Sequence, residues 1–147
     1  RILVPLDGSD TSERGLREAL RLAAGQDVTL VLLHVIDDFP NVRQLAASEP
    51  LDKLKALRRR TGEELVQHGR QIAQKARVQT EAIVSFAVES VADSIVETAR
   101  SKACELIVLG THGRSGVARA ALGSVAERVS RHGGLPVMLV PPARAAD

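Results

Sequence analysis

Apolar residues in this chain fall into five short runs, which are separated by longer amphipathic segments. The first, second and fourth runs are typical of strands that are buried on both faces of a sheet. The third run alternates between apolar and polar or smaller residues, which indicates a strand near the sheet edge with one wetter face. The pattern predicts strands over Ile2–Leu6, Val28–Ile36, Val78–Ala87, Cys104–Leu109 and Leu135–Val140.

The segments between the runs repeat apolar residues at helical spacing. In the first segment, either Ser9 or Asp10 can cap a helix, and Gly25 is placed to end it. Three further helices are predicted over Leu51–Ala76, Ser90–Lys102 and Gly123–His132.

Strands that alternate with helices predict one α/β domain over residues 1–147, with an open five-stranded parallel sheet and helices on both faces. Right-handed crossovers restrict the winding, and the expected strand order is 3-2-1-4-5. In that order the chain reverses direction between strands 1 and 4, so we expect a ligand crevice beyond their carboxyl ends. Asp7 follows strand 1 and Gly110 follows strand 4, which brings both residues to the crevice.

The stretch 109–125 carries the strongest chemical signal in the chain. Glycines leave strand 4 and return at the start of the next helix, in the pattern Gly110-x2-Gly113-x9-Gly123-Ser124. Glycine lets a ligand approach the backbone without meeting a Cβ, and a helix start offers unpaired N–H groups to an anion. With Arg114 and Arg119 between the glycines, the stretch predicts a phosphate site. The alternative is a plain β–α connection with glycines at its turns.

This glycine spacing resembles the nucleotide-binding signature of the universal stress protein family, and the resemblance extends from Ile2–Asp7 to Pro136–Val140. It implies a Rossmann-like, adenine nucleotide alpha hydrolase-like fold that binds ATP or another adenine nucleotide, with Mg²⁺ held only through the phosphates. In the family, an aspartate at the position of Asp7 contacts the nucleoside, and a valine at the position of Val35 lines the adenine pocket. The ATP-binding residues expected here are Pro5, Leu6, Asp7, Val35, Leu109, Gly110, Thr111, His112, Gly113, Arg114, Gly123, Ser124 and Val125.

Several of these side chains have a second interpretation. Asp7 is either a ligand acceptor or a turn former. His112 either donates to phosphate or is exposed to solvent. Ser124 offers its hydroxyl to phosphate or caps the helix, and in ligand-free protein we expect the cap. The segment Glu89-Ser90-Val91 departs from the family, which often has Gly-x-Pro there beside the adenine, so base selectivity is an open question.

The sequence contains no motif for the other common nucleotide, catalytic or metal sites. The chain has no P-loop, no G-x-G-x-x-G after strand 1 and no G-x-S-x-G nucleophile elbow. The four histidines are scattered with no cysteine or carboxylate at ligand spacing, so no metal site is predicted. No catalytic residue is predicted.

Composition limits the classes of partner that the chain is expected to bind. The chain has 20 basic and 18 acidic residues, two Phe, no Trp and no Tyr, which gives no case for nucleic acid. The single cysteine, Cys104, excludes an internal disulfide and is interpreted as a small core residue. No apolar run approaches the ~20 residues that span a bilayer, so a cytoplasmic protein without a membrane partner is expected. Because the chain begins at Arg1 inside a strand pattern, a few leading residues are expected to be missing.

The last strand suggests a second partner. In the order 3-2-1-4-5, Leu135–Val140 forms a sheet edge without charged residues, protected only by Pro136. Such an edge invites pairing, so we expect a homodimer through strand 5, which the family resemblance also implies. The alternative is a monomer whose tail, Pro141–Asp147, covers the edge.

Three candidate functions are consistent with the sequence. The first is an ATP-binding stress-response regulator that acts through its ligand-bound state and not by turnover. The second is an enzyme on the same fold, a slow ATPase or an adenylate-forming relative; the latter would carry Ser-Gly-Gly-x-Asp-Ser after strand 1, which Asp7-Gly8-Ser9-Asp10 does not match. The third is an interaction module with an empty pocket, against which the intact glycine signature argues.

Overall fold

The computed structural model describes residues 1–37, 49–112 and 122–143 of the chain. Strands and helices alternate along it. The strands are β1 (Ile2–Pro5), β2 (Thr29–Ile36), β3 (Gln79–Phe86), β4 (Leu106–Gly110) and β5 (Val137–Val140). The helices are α1 (Asp10–Ala23), α2 (Glu49–Lys75), α3 (Val91–Ser101) and α4 (Ser124–His132).

The five strands form one parallel sheet in the order β3-β2-β1-β4-β5. This confirms the predicted α/β architecture and strand order. The alternating strand, β3, lies at one edge, and β5 lies at the other. Among the described helices, none is long and apolar enough to cross a bilayer.

The ends of β4 and α1 are decided by hydrogen bonds of the backbone. β4 begins at Leu106 and not at Cys104, because the N–H of Cys104 donates to the carbonyl of Ala99 at 2.8 Å and closes the end of α3. At α1, Ser9 is the N-cap and accepts from the N–H of Ser12, so of the two predicted candidates Ser9 takes the role.

Each face of the sheet carries its own core, because successive residues of a strand point to opposite faces. Leu3 packs into the cluster under α3 and α4, and its neighbour Val4 packs into the cluster under α1 and α2. Each fully buried side chain of this size contributes about 1.5–3 kcal/mol. The two clusters hold the sheet rigid, and the carboxyl ends of its strands carry the site.

Pro5 explains why a crevice opens between β1 and β4. β1 pairs with β2 as far as Pro5↔Leu33, but with β4 only as far as Leu3↔Ile107. The N–H of Leu6 donates to the carbonyl of Leu33 at 2.8 Å, so the polar backbone groups of Leu6 face β2. Neighbouring residues of a strand face opposite sides, so the nitrogen of Pro5 faces β4 and has no hydrogen to donate. The β1–β4 ladder therefore stops there.

Candidate functional site

A cavity of about 710 Å³, counting the space at its open mouth, lies at the carboxyl ends of β1 and β4. Open α/β sheets bind ligands at such a reversal of strand order. All the predicted site residues that the structure describes line this cavity: Pro5, Leu6, Asp7, Val35, Leu109, Gly110, Thr111, His112, Gly123, Ser124 and Val125. Gly113 and Arg114, also predicted, lie outside the described residues.

One wall of the cavity is apolar, and most of it was not predicted. Leu33 shares a strand face with Val35, and Val91 and Ile95 stand one helical turn apart on α3. The signal was in the sequence: Leu33 lies two residues before the predicted Val35, and Val91 and Ile95 have i, i+4 spacing. Ser12 and Ala126 complete the lining residues that the sequence analysis missed. Such a wall suits a flat apolar ring.

The segment that departs from the family borders this wall. Ser90 is the N-cap of α3, and its hydroxyl accepts from the N–H of Asp93 at 3.1 Å. Val91, the first residue of the helix, lines the cavity. The substituted segment thus starts a helix and presents an apolar side chain to the site.

Asp7 forms a turn at the cavity wall. Its Oδ1 accepts from the backbone N–H of Ser9 at 2.9 Å and from the Ser9 hydroxyl at 2.5 Å. Its own N–H donates to the hydroxyl of Ser12 at 3.4 Å, and that hydroxyl donates to the carbonyl of Ser9 at 2.9 Å. The turn-forming interpretation of Asp7 is therefore present in the structure, and the same turn holds the half-buried carboxylate at the cavity.

Close packing requires glycine at two positions of the signature, Gly110 and Gly123. A Cβ on Gly110 would lie 2.9 Å from Thr11 Cγ2 and 3.1 Å from the Thr11 carbonyl oxygen. A Cβ on Gly123 would lie 2.8 Å from the carbonyl oxygen of Thr111. Gly123 has a φ of −60°, which any residue adopts, so contact and not backbone conformation excludes a side chain there. These glycines have a structural reason that does not depend on a ligand.

Among the described residues, no side chain caps the start of α4. Gly123 is the N-cap, and no described side chain accepts from the N–H groups of the first turn. The expectation that Ser124 caps the helix is therefore wrong: Ser124 is the first helical residue, one position past the place from which a side chain reaches those groups. Ser124 and Val125 line the cavity, so an uncapped helix start, with the positive end of its dipole, borders it.

His112 lies beside this helix start. Of its two ring nitrogens, only Nδ1 has a hydrogen-bond partner among the described residues. Its Nδ1 is 2.9 Å from the hydroxyl of Thr111. Its Nε2 is buried and has no hydrogen-bond partner among the described residues. Of the two interpretations offered from sequence, exposure to solvent does not hold for this nitrogen. When the hydroxyl donates to Nδ1, Nε2 carries the proton and is a donor.

Perturbed titratable groups lie away from the cavity. The hydrogen bond from Lys102 lowers the pKa of Glu81, and the hydrogen bond from Ser90 lowers the pKa of Asp93. Burial raises the pKa of the Cys104 thiol, as expected for a small core residue. Within the described ranges, no three His, Cys, Asp or Glu side chains are grouped to hold a metal ion.

The sequence model of the universal stress protein family matches residues 1–141, and the chain belongs to that family. It is similar to universal stress protein MJ0531 of Methanocaldococcus jannaschii, with 33% identity over 142 residues that cover 95% of this chain and 81% of the relative. It is also similar to universal stress protein YxiE of Bacillus subtilis, with 31% identity over 146 residues, 95% of this chain and 97% of the relative.

Solved structures of the family have the same fold. A universal stress family protein from Burkholderia pseudomallei superimposes with a TM-score of 0.77 at 32% identity, over 96% of this chain and 95% of its own. A universal stress protein in complex with cAMP superimposes with a TM-score of 0.70 at 26% identity, over 95% of this chain and 94% of its own. An Arabidopsis thaliana family member with AMP bound has a TM-score of 0.69 at 18% identity, over 97% and 91% of the two chains, and shows the fold alone.

Proposed function

We propose that this protein binds an adenine nucleotide, ATP in particular, in the cavity between β1 and β4, and acts as a stress-response regulator through its ligand-bound state. The observation that carries the proposal is the juxtaposition of three features around one cavity. These are the apolar wall, the Asp7 carboxylate and the uncapped start of α4. A nucleotide has three parts of matching chemistry: an aromatic base, a polar sugar and an anionic phosphate chain.

The base is placed against Val35 and the rest of the apolar wall. Asp7 accepts hydrogen bonds from ribose hydroxyls or the base amino group. The phosphates lie at the α4 start, where backbone N–H groups and the Ser124 hydroxyl donate to them. Gly113 and Arg114 are proposed to extend this phosphate site. Mg²⁺, where it accompanies the nucleotide, is held through the phosphates and not by protein side chains.

The ligand of a solved relative supports the class of nucleotide. One structure of the family, 26% identical to this chain, holds cAMP, which contains adenine and ribose. The choice of ATP rests on the glycine signature and on the uncapped helix start, which favours added negative charge. No described residue is proposed to be catalytic.

We further propose a cytoplasmic homodimer paired through β5. The carbonyl of Pro136 accepts from the N–H of Ile107 in β4 at 3.0 Å, and the carbonyl of Val140 accepts from the N–H of Thr111, just after β4, at 2.9 Å. The backbone polar groups of Pro136 and Val140, and of Met138 between them, therefore face β4. Val137 and Leu139 therefore point their backbone polar groups away from β4, toward the open edge. Met138, between them, is 36% exposed. Antiparallel pairing about a two-fold axis would satisfy both copies.

The nucleotide proposal is tested by mass spectrometry of small molecules released when the purified protein is denatured. We expect an adenine nucleotide in stoichiometric amount. The matched sample is Asp7→Ala prepared in the same way, from which we expect much less. If the parent releases no nucleotide and a nucleotide-free preparation takes up none at millimolar ATP with magnesium, the proposed function is wrong.

A further inference from the structure

His34 is a partly buried titratable residue that no step of nucleotide binding uses. It lies on β2, and its Nδ1 is 2.7 Å from the backbone carbonyl oxygen of Leu6. Since a carbonyl oxygen only accepts, Nδ1 carries the proton and donates it. The N–H of Leu6 donates in turn to the carbonyl of Leu33 at 2.8 Å. Both polar backbone groups of Leu6 are therefore held by β2, although β1 itself ends at Pro5.

Two glycines of α2 lie over this pair of residues. A Cβ on Gly62 would be 2.7 Å from Cδ2 of His34, and a Cβ on Gly69 would be 2.8 Å from Cδ1 of Leu6. The glycines are seven residues apart and share one face of the helix. Glycine is unfavourable inside a helix, so their presence here has a packing reason. The helix backbone confines the imidazole ring and the leucine side chain from above.

The hydrogen bond from His34 acts on the residue that follows Leu6. The carbonyl of Leu6 and the N–H of Asp7 belong to the same planar peptide group, so fixing one fixes the other. That N–H donates to the hydroxyl of Ser12. The orientation of this peptide sets the direction in which the chain leaves β1 and turns at Asp7.

We propose that His34 is a positioning residue for nucleoside binding: its Nδ1–H fixes the peptide between residues 6 and 7 and thereby holds the Asp7 carboxylate at the cavity. His34 itself is not among the residues that line the cavity. The inference rests on the proposed function, because the ligand of Asp7 is the nucleoside. The ligand is adenosine in the tests below, since it lacks the phosphates that bind at α4.

Three variants of His34 distinguish the effect of its Nδ1–H donor from the effect of the imidazole ring as a whole. His34→Asn places an amide N–H where Nδ1 stood, His34→Gln places it where Nε2 stood, and His34→Leu has no donor. We expect His34→Asn to bind adenosine within about twofold of the parent. We expect His34→Gln and His34→Leu to bind adenosine about 3-fold to 10-fold more weakly, as for one lost neutral hydrogen bond. The matched control is His132→Leu, at an exposed position on α4. Equal affinities for Asn and Gln would overturn the proposal.

A double-mutant cycle tests whether His34 acts through Asp7. In the Asp7→Ala background, His34→Gln should change the adenosine affinity by less than about twofold, because the group that it positions is gone. If His34→Gln weakens adenosine binding equally with and without the Asp7 carboxylate, the proposal is wrong.

A ligand-free measurement keeps this inference distinct from the proposed function. The Ser9 amide is bonded to Asp7 Oδ1, so its hydrogen exchange reports the turn directly. In His34→Gln we expect faster exchange at Ser9, with no change at the Val31 amide in the sheet core. If the parent binds neither ATP nor adenosine, the proposed function fails. The turn-positioning role is then decided by this exchange alone: unchanged exchange at Ser9 overturns it.

Discussion

Gly123 donates its backbone N–H to the carbonyl oxygen of Thr111 over 2.8 Å, which ties the start of α4 to the end of β4. The same oxygen is the atom that a Cβ at position 123 would meet. The N–H of Thr111 is itself bonded to the carbonyl of Val140 in β5. The phosphate end of the proposed site is thus held in shape by backbone contacts before any ligand arrives.

We expect Gly123→Val to act on the fold as well as on the ligand. The branched side chain cannot fit against Thr111, so the variant should lose about 1–3 kcal/mol of unfolding free energy, as for an overpacked site. It should also lose the ATP-dependent rise in melting temperature. Urea unfolding with and without ATP measures both effects, with Leu122→Ala as the exposed neighbouring control. A variant with unchanged stability and ATP affinity would show that Gly123 is only a turn residue.

Ser124→Ala should weaken ATP binding without changing the stability of the ligand-free fold. Because Ser124 is past the capping position, its loss should leave the unfolding free energy of the ligand-free protein within about 0.5 kcal/mol of the parent. If its hydroxyl donates to phosphate, ATP should bind about 2-fold to 10-fold more weakly, and adenosine as before. Calorimetric titration with the two ligands measures the difference. Equal weakening of ATP and adenosine would contradict a phosphate contact.

Asp93→Asn tests the link between α3 and α4. Asp93 accepts from the Ser90 hydroxyl at 2.6 Å and from Arg128 Nη2 at 2.9 Å, and these contacts lower its pKa. A lowered folded-state pKa contributes stability above the unfolded value, near pH 3.9, and that contribution is lost as pH falls through the folded pKa. Asp93→Asn should therefore be less stable than the parent near neutral pH.

The difference between parent and Asp93→Asn should shrink as the pH falls below about 4. Urea unfolding midpoints of both proteins, measured near neutral pH and below pH about 4, give this difference in stability. Glu97→Gln, an exposed carboxylate change on the same helix, is the control and should show no such pattern. A difference that stays constant with pH would mean that Asp93 acts without its charge.

Met138→Lys tests the proposed dimer. In an antiparallel pair of β5 strands centred on Met138, the two copies of this residue would lie opposite each other, and like charges across a strand pair are destabilising. In sedimentation equilibrium at micromolar concentration we expect the parent at twice the 15.7 kDa chain mass and Met138→Lys at the chain mass. A parent that sediments at 15.7 kDa would contradict the dimer.

The sequence predicted the fold because apolar runs and helical spacing are local patterns, and one parallel sheet was the arrangement that accommodated them. The roles of His34 and Gly62 were missed because they depend on contacts between distant segments. His34 meets Leu6 across 28 positions, and Gly62 matters only because α2 lies on that histidine. No spacing along the chain encodes such contacts.

The expectation about Ser124 was wrong for a related reason. Glycine followed by serine at a helix start looks like a capping serine, but Gly123 takes the N-cap position and Ser124 is the first helical residue. The N–H of Gly123 donates to the carbonyl of Thr111, a contact between segments that the local pattern does not show.

The central claim is that the cavity binds an adenine nucleotide, and the melting temperature of nucleotide-free protein with ATP and magnesium tests it most directly. A ligand at 100-fold excess over its dissociation constant adds about 2.7 kcal/mol to the unfolding free energy. For a chain of 147 residues this corresponds to roughly 5–10 °C, at about 2–4 °C per kcal/mol. We expect that rise in the parent and a much smaller one in Asp7→Ala; no rise in the parent at millimolar ATP would contradict the account.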